Sequence, residues 1–252
     1  MEQPEKRTAY YHLPGLFEFY ELYRVFLPIF REHREYFYDW CEIGSVYGAP
    51  EDCIWDGGRA GFGDADPREV LALMQEYGIS ARLTLSNSLL REEHLSDKRC
   101  NALCELFEKR ADVQNGVIVH SELLLDYLKR KYPGFYFVSS TTKVLTDFAQ
   151  FLREVEREEF RYVVPDFRLN TAFGKWSKLC RLQKDKVEFL LYYMTKPEYH
   201  FLKAPTLHFR CKPLLQSLLP CLTACCLAFQ FQLSFKCVIQ LHYLRHLRPI
   251  FD

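Results

Sequence analysis

The sequence lacks an excess of charge of either sign, because 33 Lys and Arg residues balance 33 Asp and Glu residues. Binding along a nucleic-acid backbone calls for a surplus of basic residues that neutralises phosphates, so the net charge argues against a nucleic-acid partner. The first seven residues contain no apolar stretch like that of a signal peptide. We therefore expect a cytoplasmic protein whose 10 cysteines are free thiols rather than disulfides.

Two glycine-rich phosphate-binding motifs are also missing. No predicted strand runs directly into G-x-G-x-x-G and a helix, which removes the usual dinucleotide fingerprint. The glycine-rich segment 57–63 lacks the G-K-[ST] ending of a P-loop. Its backbone N–H groups could still bind an anion, so Gly58 and Arg59 are predicted ligand-binding residues, with a plain flexible loop as the alternative.

What the sequence does contain is a repeated unit of a short β-branched or aromatic run followed by an amphipathic helix. The predicted strands are 40–46, 79–85, 116–119, 135–138, 161–164 and 186–191. The predicted helices are 16–37, with a kink at Pro28, then 66–77, 96–110, 121–132 and 146–158. This alternation is typical of parallel sheets. We predict an α/β fold of the (β/α) TIM-barrel type, incomplete, with about six parallel strands before residue 191; an open doubly wound sheet is the alternative.

The pattern changes near residue 192, so three regions are predicted: an N-terminal segment and helix (1–37), the barrel region (38–191) and an atypical Cys- and Leu-rich tail (192–252). Gly174 is the last glycine and Glu198 the last glutamate, whereas five of the 10 cysteines lie in the last fifth of the chain. Two more strand–helix units would need acidic helix starts and glycine helix ends, which this tail lacks.

Three interpretations of the tail remain open. A membrane-associated helix over 214–229 is one, although that run is shorter than about 18 residues and Pro220 interrupts it. A metal site is the second, without a paired C-x-x-C to support it; its candidate ligands are Cys221, Cys225 and Cys226, or His242 and His246. The third, which the missing glycine and acid favour, is a tail never selected as part of this fold, as after a deletion or a shifted reading frame. We therefore predict neither a membrane partner nor a metal site.

In parallel α/β folds the ligand site lies at the carboxyl ends of the strands. Three residues at those ends are predicted to be catalytic, namely His120, Asp166 and Arg168. Further residues there are predicted to bind a ligand, namely Asn87, Ser139 and Asn170. The expected ligand is small and either anionic or peptide-like.

Each of the three catalytic candidates has a plain structural alternative. His120 titrates near neutral pH and suits acid–base work, but it could be an inert residue beside the helix start at Ser121. Asp166 directly follows an apolar run, which favours a carboxylate in the strand-end mouth, as a base or as an anchor for Arg168; it could equally cap a loop. Arg168 could bind a carboxylate or phosphate through two parallel hydrogen bonds, or face solvent.

Several segments together resemble the collagenase-like "peptidase U" family. They are Gly57-Gly58-Arg59, Asp66-Pro67-Arg68-Glu69, Gly116-Val117-Ile118-Val119-His120-Ser121 and Val163-Val164-Pro165-Asp166-Phe167-Arg168-Leu169-Asn170. The resemblance covers about residues 13–190 and implies a TIM-type barrel. Members are often labelled peptidases, and better understood ones resemble iron–sulfur proteins that help hydroxylate RNA or quinone precursors.

The resemblance also implies an iron–sulfur cluster held by cysteines that follow a late barrel strand. Here the strand at 187–190 runs into Leu191-Tyr192-Tyr193-Met194 instead, so the cofactor is left unknown. Two hypotheses follow. One is a barrel related to peptidase-like or hydroxylation-associated enzymes, inactive if the cysteine cluster is lost. The other is a non-enzymatic binding or scaffold protein, in which a partner covers the open edge of the barrel.

Overall fold

The computed structural model describes residues 8–57, 65–109, 112–192 and 236–241, with 191–192 and 236–241 described in their backbone. The strands in these ranges are β1 (Ala9–Pro14), β2 (Cys41–Gly48), β3 (Ser80–Leu85), β4 (Gly116–Val119), β5 (Tyr136–Ser139), β6 (Phe160–Val163), β7 (Glu188–Tyr192) and β8 (Lys236–Leu241). The helices are α1 (Tyr20–Glu32), α2 (Pro67–Glu76), α3 (Lys98–Glu108), α4 (Glu122–Lys131), α5 (Phe148–Glu156), α6 (Phe173–Trp176) and α7 (Arg181–Asp185).

The strands form one sheet in the order β6-β5-β4-β3-β2-β1-β8-β7. β1 to β6 are parallel, and β8 is antiparallel to both β1 and β7, so β7 points the same way as β1 to β6. A parallel bridge between Val163 and Val187 brings the start of β7 back beside β6. The sheet therefore curls into an α/β barrel of TIM type that is incomplete, since one strand runs the opposite way and a single bridge joins the ends. The predicted fold class and its six parallel strands are confirmed.

Strand β1 is the element that the sequence pattern does not indicate. It precedes the predicted helix at 16–37, which in the structure begins at Tyr20 and keeps Pro28 inside its last turns. β1 pairs with β2 on one side and with β8 on the other, so residues ahead of the first helix belong to the sheet.

The helix starts follow from short polar side chains that accept hydrogen bonds from free backbone N–H groups. Asp66 caps α2 by accepting from the Arg68 N–H at 2.7 Å, and Asp97 caps α3 by accepting from the Cys100 N–H at 2.8 Å. Ser121 and Asp147 cap α4 and α5 in the same way. Because each cap fixes where a helix begins, it also fixes the length of the loop that leaves the preceding strand. These loops form the mouth of the barrel.

Side chains alternate between the two faces of each strand, which separates two apolar cores. On β3, Ala81, Leu83 and Leu85 face the helices and join the larger, helix-side core. Ser80, Arg82 and Thr84 face the lumen. The lumen core itself consists of Tyr47, Tyr136, Val138, Val164 and Leu190, flanked by Ile118 and Tyr162.

A buried ion cluster, formed by Arg82, Glu188 and His12, occupies the amino-terminal half of the lumen. The Arg82 guanidinium donates two hydrogen bonds to the Glu188 carboxylate, both at 2.8 Å, and its Nε donates to the Tyr136 hydroxyl at 2.8 Å. His12 Nε2 lies 3.3 Å from Glu188 without hydrogen-bond geometry, and its Nδ1 is 2.8 Å from Ser45 Oγ. Burial lowers the pKa of His12 to about 4, outweighing the opposite effect of Glu188, so the ring is neutral near pH 7.

The segment between β6 and β7 carries α6 and α7 and is anchored by Trp176. This side chain is 1 % exposed. The centroid of its ring lies 4.9 Å from that of Phe189, 5.1 Å from that of Phe148 and 5.3 Å from that of Phe151. Its Nε1 donates to the Leu169 carbonyl at 2.7 Å. The anchor thus ties the loop after β6 to both α5 and β7.

Most of the predicted tail lies outside the described residues, and this includes the run 214–229 and the proposed thiol and histidine ligands. Lys236–Leu241 forms β8, which fills the gap between β1 and β7. In the part of the chain that the structure describes, no helix is long and apolar enough to cross a bilayer.

Candidate functional site

The carboxyl ends of β4, β5 and β6 bring several polar residues, among them the predicted His120 and Asp166, to one edge of the sheet. His120 follows β4, Ser140 and Thr142 follow β5, and Asp166 follows β6. These strands are direct neighbours in the sheet and all run the same way. Adjacent strands lie about 4.8 Å apart, so the tips of β4 and β6 are about 10 Å apart. His120 and Asp166 therefore share one mouth, as a strand-end site requires.

His120 is held by a chain of hydroxyl groups. Its Nδ1 lies 2.8 Å from Thr142 Oγ1, and Thr142 Oγ1 lies 2.9 Å from Ser140 Oγ. Burial, together with the charge of Lys143, lowers the pKa of His120 below its ordinary value of 6.5. The ring is therefore neutral at pH 7, and its Nδ1 is engaged with Thr142.

We expect His120 to titrate below pH 6.5 when its ring resonances are followed by NMR across pH 4 to 8. Lys143→Met removes the nearby positive charge and is expected to raise the midpoint, because protonation of His120 then meets less repulsion. Lys143→Arg keeps the charge and serves as the matched control, with a midpoint close to that of the wild type. A midpoint at or above 6.5 in the wild type would mean that the ring is open to water.

Asp166 and Arg168 form an ion pair with each other. Asp166 Oδ1 accepts from the Arg168 N–H at 2.9 Å and from Arg168 Nε at 2.7 Å, and Oδ2 accepts from the second guanidinium nitrogen at 3.0 Å. These bonds lower the pKa of Asp166, so it is ionised near pH 7. The Arg168 side chain is 57 % exposed. The pair thus closes a tight turn after β6, and within the described chain Asp166 does not contact His120.

Two of the predicted ligand-binding residues are engaged with partners in the protein. Ser139 Oγ donates to Glu154 on α5 at 2.6 Å, which places it on the helix side of the sheet. Asn87 joins two loops, because its Nδ2 donates to the Ile54 carbonyl and its Oδ1 accepts from the Leu89 N–H, both at 2.8 Å. Gly58 and Arg59 lie outside the described residues.

Asn170 and Thr84 carry buried polar atoms without a partner in the described chain. Asn170 Nδ2 donates to the Leu190 carbonyl of β7 at 2.8 Å, but its Oδ1 accepts no hydrogen bond. Thr84, which is 7 % exposed on the lumen face of β3, leaves its Oγ1 likewise unpaired. β3, which carries Thr84, and β7, which carries the carbonyl bound by Asn170, are four strands apart in either direction around the sheet. Buried polar groups are nearly always paired in native proteins, so each of these two unpaired atoms calls for an explanation.

The described cysteines do not fit an iron–sulfur cluster. They are Cys41, Cys53, Cys100, Cys104 and Cys180, all free thiols. No three His, Cys, Asp or Glu side chains of the described chain converge as a metal site would require. No step below depends on such a group.

Thr84 and Thr142 are site residues that the strand-end rule did not identify. Thr142 sits beyond the strand tip and becomes relevant only through its contact with His120. The sequence did contain a signal that Thr84 faces the lumen. Every second position of this strand and its end is polar, namely Ser80, Arg82, Thr84 and Ser86, while the other face is apolar. Alternation of this kind on a fully buried strand predicts a polar lumen.

Comparison with known proteins gives one structural likeness. No family model matches the sequence, and no curated protein matches it either. The structure is similar to that of the U32 peptidase Mk0906, with a TM-score of 0.45 and 15 % sequence identity, over 75 % of this chain and 70 % of that one. This is the family that the strand-end segments resemble.

Proposed function

We propose that this chain is a binding barrel that takes a small peptide-like ligand at the carboxyl mouth, rather than a working peptidase. The observation that carries the proposal is the pair of unpaired, buried atoms Thr84 Oγ1, on the lumen face of β3, and Asn170 Oδ1, in the loop after β6. A barrel of about eight strands encloses room for side chains or for one small ligand.

The chemistry of the mouth favours an amide over an anion. Asn170 Oδ1 can only accept, so the ligand must offer it an N–H or O–H group. The cation nearest the predicted site, Arg168, already binds Asp166 through two guanidinium nitrogens. Lys143 Nζ already donates hydrogen bonds to Glu122 Oε1 at 2.8 Å and to Glu154 Oε1 at 2.6 Å. An anion without an N–H or O–H group offers no donor to Asn170 Oδ1, whereas a peptide unit supplies both a donor and an acceptor.

The arrangement around His120 argues against efficient hydrolysis. A nucleophile–base pair works best when a third group, usually a carboxylate, orients the base. Here Thr142 occupies Nδ1, and no carboxylate contacts the ring among the described residues. The 2.8 Å contact with the exposed Thr142 hydroxyl does favour one second candidate, acyl transfer with Thr142 as nucleophile and His120 as base. Hydrolysis of glycylglycinamide by the wild type, abolished in Thr142→Val, would support that alternative.

The proposal predicts opposite effects of Thr84→Val on stability and on binding. Replacing an unpaired buried hydroxyl by a methyl group removes a desolvation cost, so the free energy of unfolding is expected to rise by about 1 kcal/mol. Binding of glycylglycinamide, followed by calorimetry and by its effect on the melting temperature, is expected to weaken at least tenfold, while inorganic phosphate binds neither protein. Thr146→Val, at an exposed position, is the matched control and should change neither quantity.

Two results would contradict the proposal. Loss of about 1 kcal/mol or more in Thr84→Val would mean that the hydroxyl already has a partner in the protein. Absence of any effect of glycylglycinamide on the wild type at millimolar concentration would mean that the mouth is not a peptide-like site.

A further inference from the structure

Two thiols that are distant in sequence meet beside the mouth of the barrel. Cys53 lies in the loop between β2 and α2, and Cys100 lies in the first turn of α3, 47 residues later. Their sulfur atoms are 3.1 Å apart, and the residues are 7 % and 1 % exposed. A disulfide bond is about 2.05 Å long, so an approach of about 1 Å separates this contact from a covalent bond.

The backbone around Cys53 is fixed in a position that keeps the two sulfur atoms together. Cys53 N–H donates to the Pro50 carbonyl at 3.2 Å, and its own carbonyl accepts from the Asp56 N–H at 2.9 Å. The neighbouring Trp55 donates from Nε1 to the His94 carbonyl at 2.8 Å, just ahead of α3. The contact between the thiols is therefore built into two ordered turns rather than left to side-chain mobility.

Cys104 provides an internal comparison on the same helix. It lies one turn after Cys100 and is fully buried, but among the described residues no hydrogen bond joins its thiol to Cys53. The pairing geometry is thus specific to Cys53 and Cys100 among the described cysteines.

We propose that Cys53 and Cys100 form a reversible disulfide by exchange with a small disulfide oxidant, and that this bond pins the mouth loop to α3. The Cys53 thiolate, the more exposed of the two, attacks the oxidant and releases one small thiol, leaving a mixed disulfide. The Cys100 thiolate then attacks the Cys53 sulfur and releases the second small thiol. Two protein thiols are oxidised with loss of two protons and two electrons, and one small disulfide is reduced to two thiols. This site does not depend on the proposed ligand.

Exchange at this pair is slow at neutral pH and faster in alkali. The hydrogen bond with Cys53 and burial both raise the pKa of Cys100, so its reactive thiolate is scarce. The rate of disulfide formation is therefore expected to rise with pH between 7 and 9.

The test uses the full reduced chain, treated with oxidised glutathione at pH 8.5, quenched with acid and blocked with N-ethylmaleimide. Linked peptides are mapped by mass and then fragmented, because Cys100 and Cys104 lie in one tryptic peptide and only fragment ions tell them apart. The expected product is a Cys53 peptide linked to a Cys100 peptide, two hydrogens lighter than the reduced pair and recovered as free thiols with dithiothreitol. Closing a loop of this size is expected to raise the melting temperature by about 8 °C. Cys104→Ser should retain both the link and the rise, whereas Cys53→Ser should lose both.

Three outcomes would overturn the proposal, and the wild type alone is enough to show any of them. One is a folded chain in which both thiols remain free after prolonged oxidation. Another is a Cys53 residue that stops at the mixed disulfide with glutathione. The third is linkage of Cys53 to Cys104 as often as to Cys100.

Discussion

Glu188→Leu is expected to destabilise the protein by about 3–5 kcal/mol, because it leaves the Arg82 guanidinium buried without a counter-ion. The pair is 2 % and 0 % exposed, so water cannot take the place of the carboxylate. Burial acts to raise the pKa of Glu188, whereas the charge and the hydrogen bonds of Arg82 act to lower it. The net pKa lies below its ordinary value, so the carboxylate is ionised across the neutral range. The full loss of unfolding free energy in Glu188→Leu is therefore expected at pH 7.

The double variant Arg82→Met with Glu188→Leu is expected to recover most of that loss, since two apolar side chains of similar length carry no charge to bury. Urea unfolding of the wild type, both single variants and the double variant gives the coupling energy directly. Glu21→Gln, which breaks an exposed contact with Arg24, is the control and should cost less than about 0.5 kcal/mol. A cost below about 1 kcal/mol for Glu188→Leu would mean that Arg82 reaches solvent.

Trp176→Ala is the second large effect, with an expected loss of about 3–5 kcal/mol. The substitution removes a buried ring that packs on three phenylalanine rings and also removes the hydrogen bond from its Nε1 to Leu169. Trp176→Phe keeps an aromatic ring and loses the hydrogen bond, so it should cost about 1–2 kcal/mol.

Leu182→Ala, on the same segment but 78 % exposed, is the control and should stay within about 0.5 kcal/mol of the wild type. Urea unfolding followed by circular dichroism measures all three variants. Equal losses for Trp176→Ala and Leu182→Ala would contradict the assignment of Trp176 as the anchor of this segment.

Local patterns in the sequence were sufficient to predict strands β2 to β7 and the starts of helices α2 to α5. Asp66, Asp97 and Asp147 cap helices where the sequence indicates, because a cap depends on residues within one turn of it. Strand β1 was not predicted, because it is a single short run of residues ahead of an aromatic helix. β8 runs in the opposite direction to its neighbours, which depends on pairing partners far away in the chain and not on its own composition.

The sequence predicted which residues lie at the strand ends, but not which partners their side chains contact. The strand-end rule gathered His120 and Asp166 at one mouth, since it depends on topology alone. It could not show that Arg168 neutralises Asp166, or that Ser139 turns toward Glu154, because these depend on side-chain partners and on which face of the strand a residue occupies. Whether the gathered residues perform catalysis stays a prediction.

The Arg82–Glu188 pair also constrains the order in which the barrel can be built during synthesis. Its two members are 106 residues apart, and translation at about 5–20 residues per second separates their emergence from the ribosome by about 5–20 s. Until β7 appears, the guanidinium of the nascent half-barrel has no carboxylate and must keep its hydration shell. We therefore expect water to remain around Arg82 while β1 to β6 assemble, and to leave this part of the lumen only when the seventh strand brings Glu188.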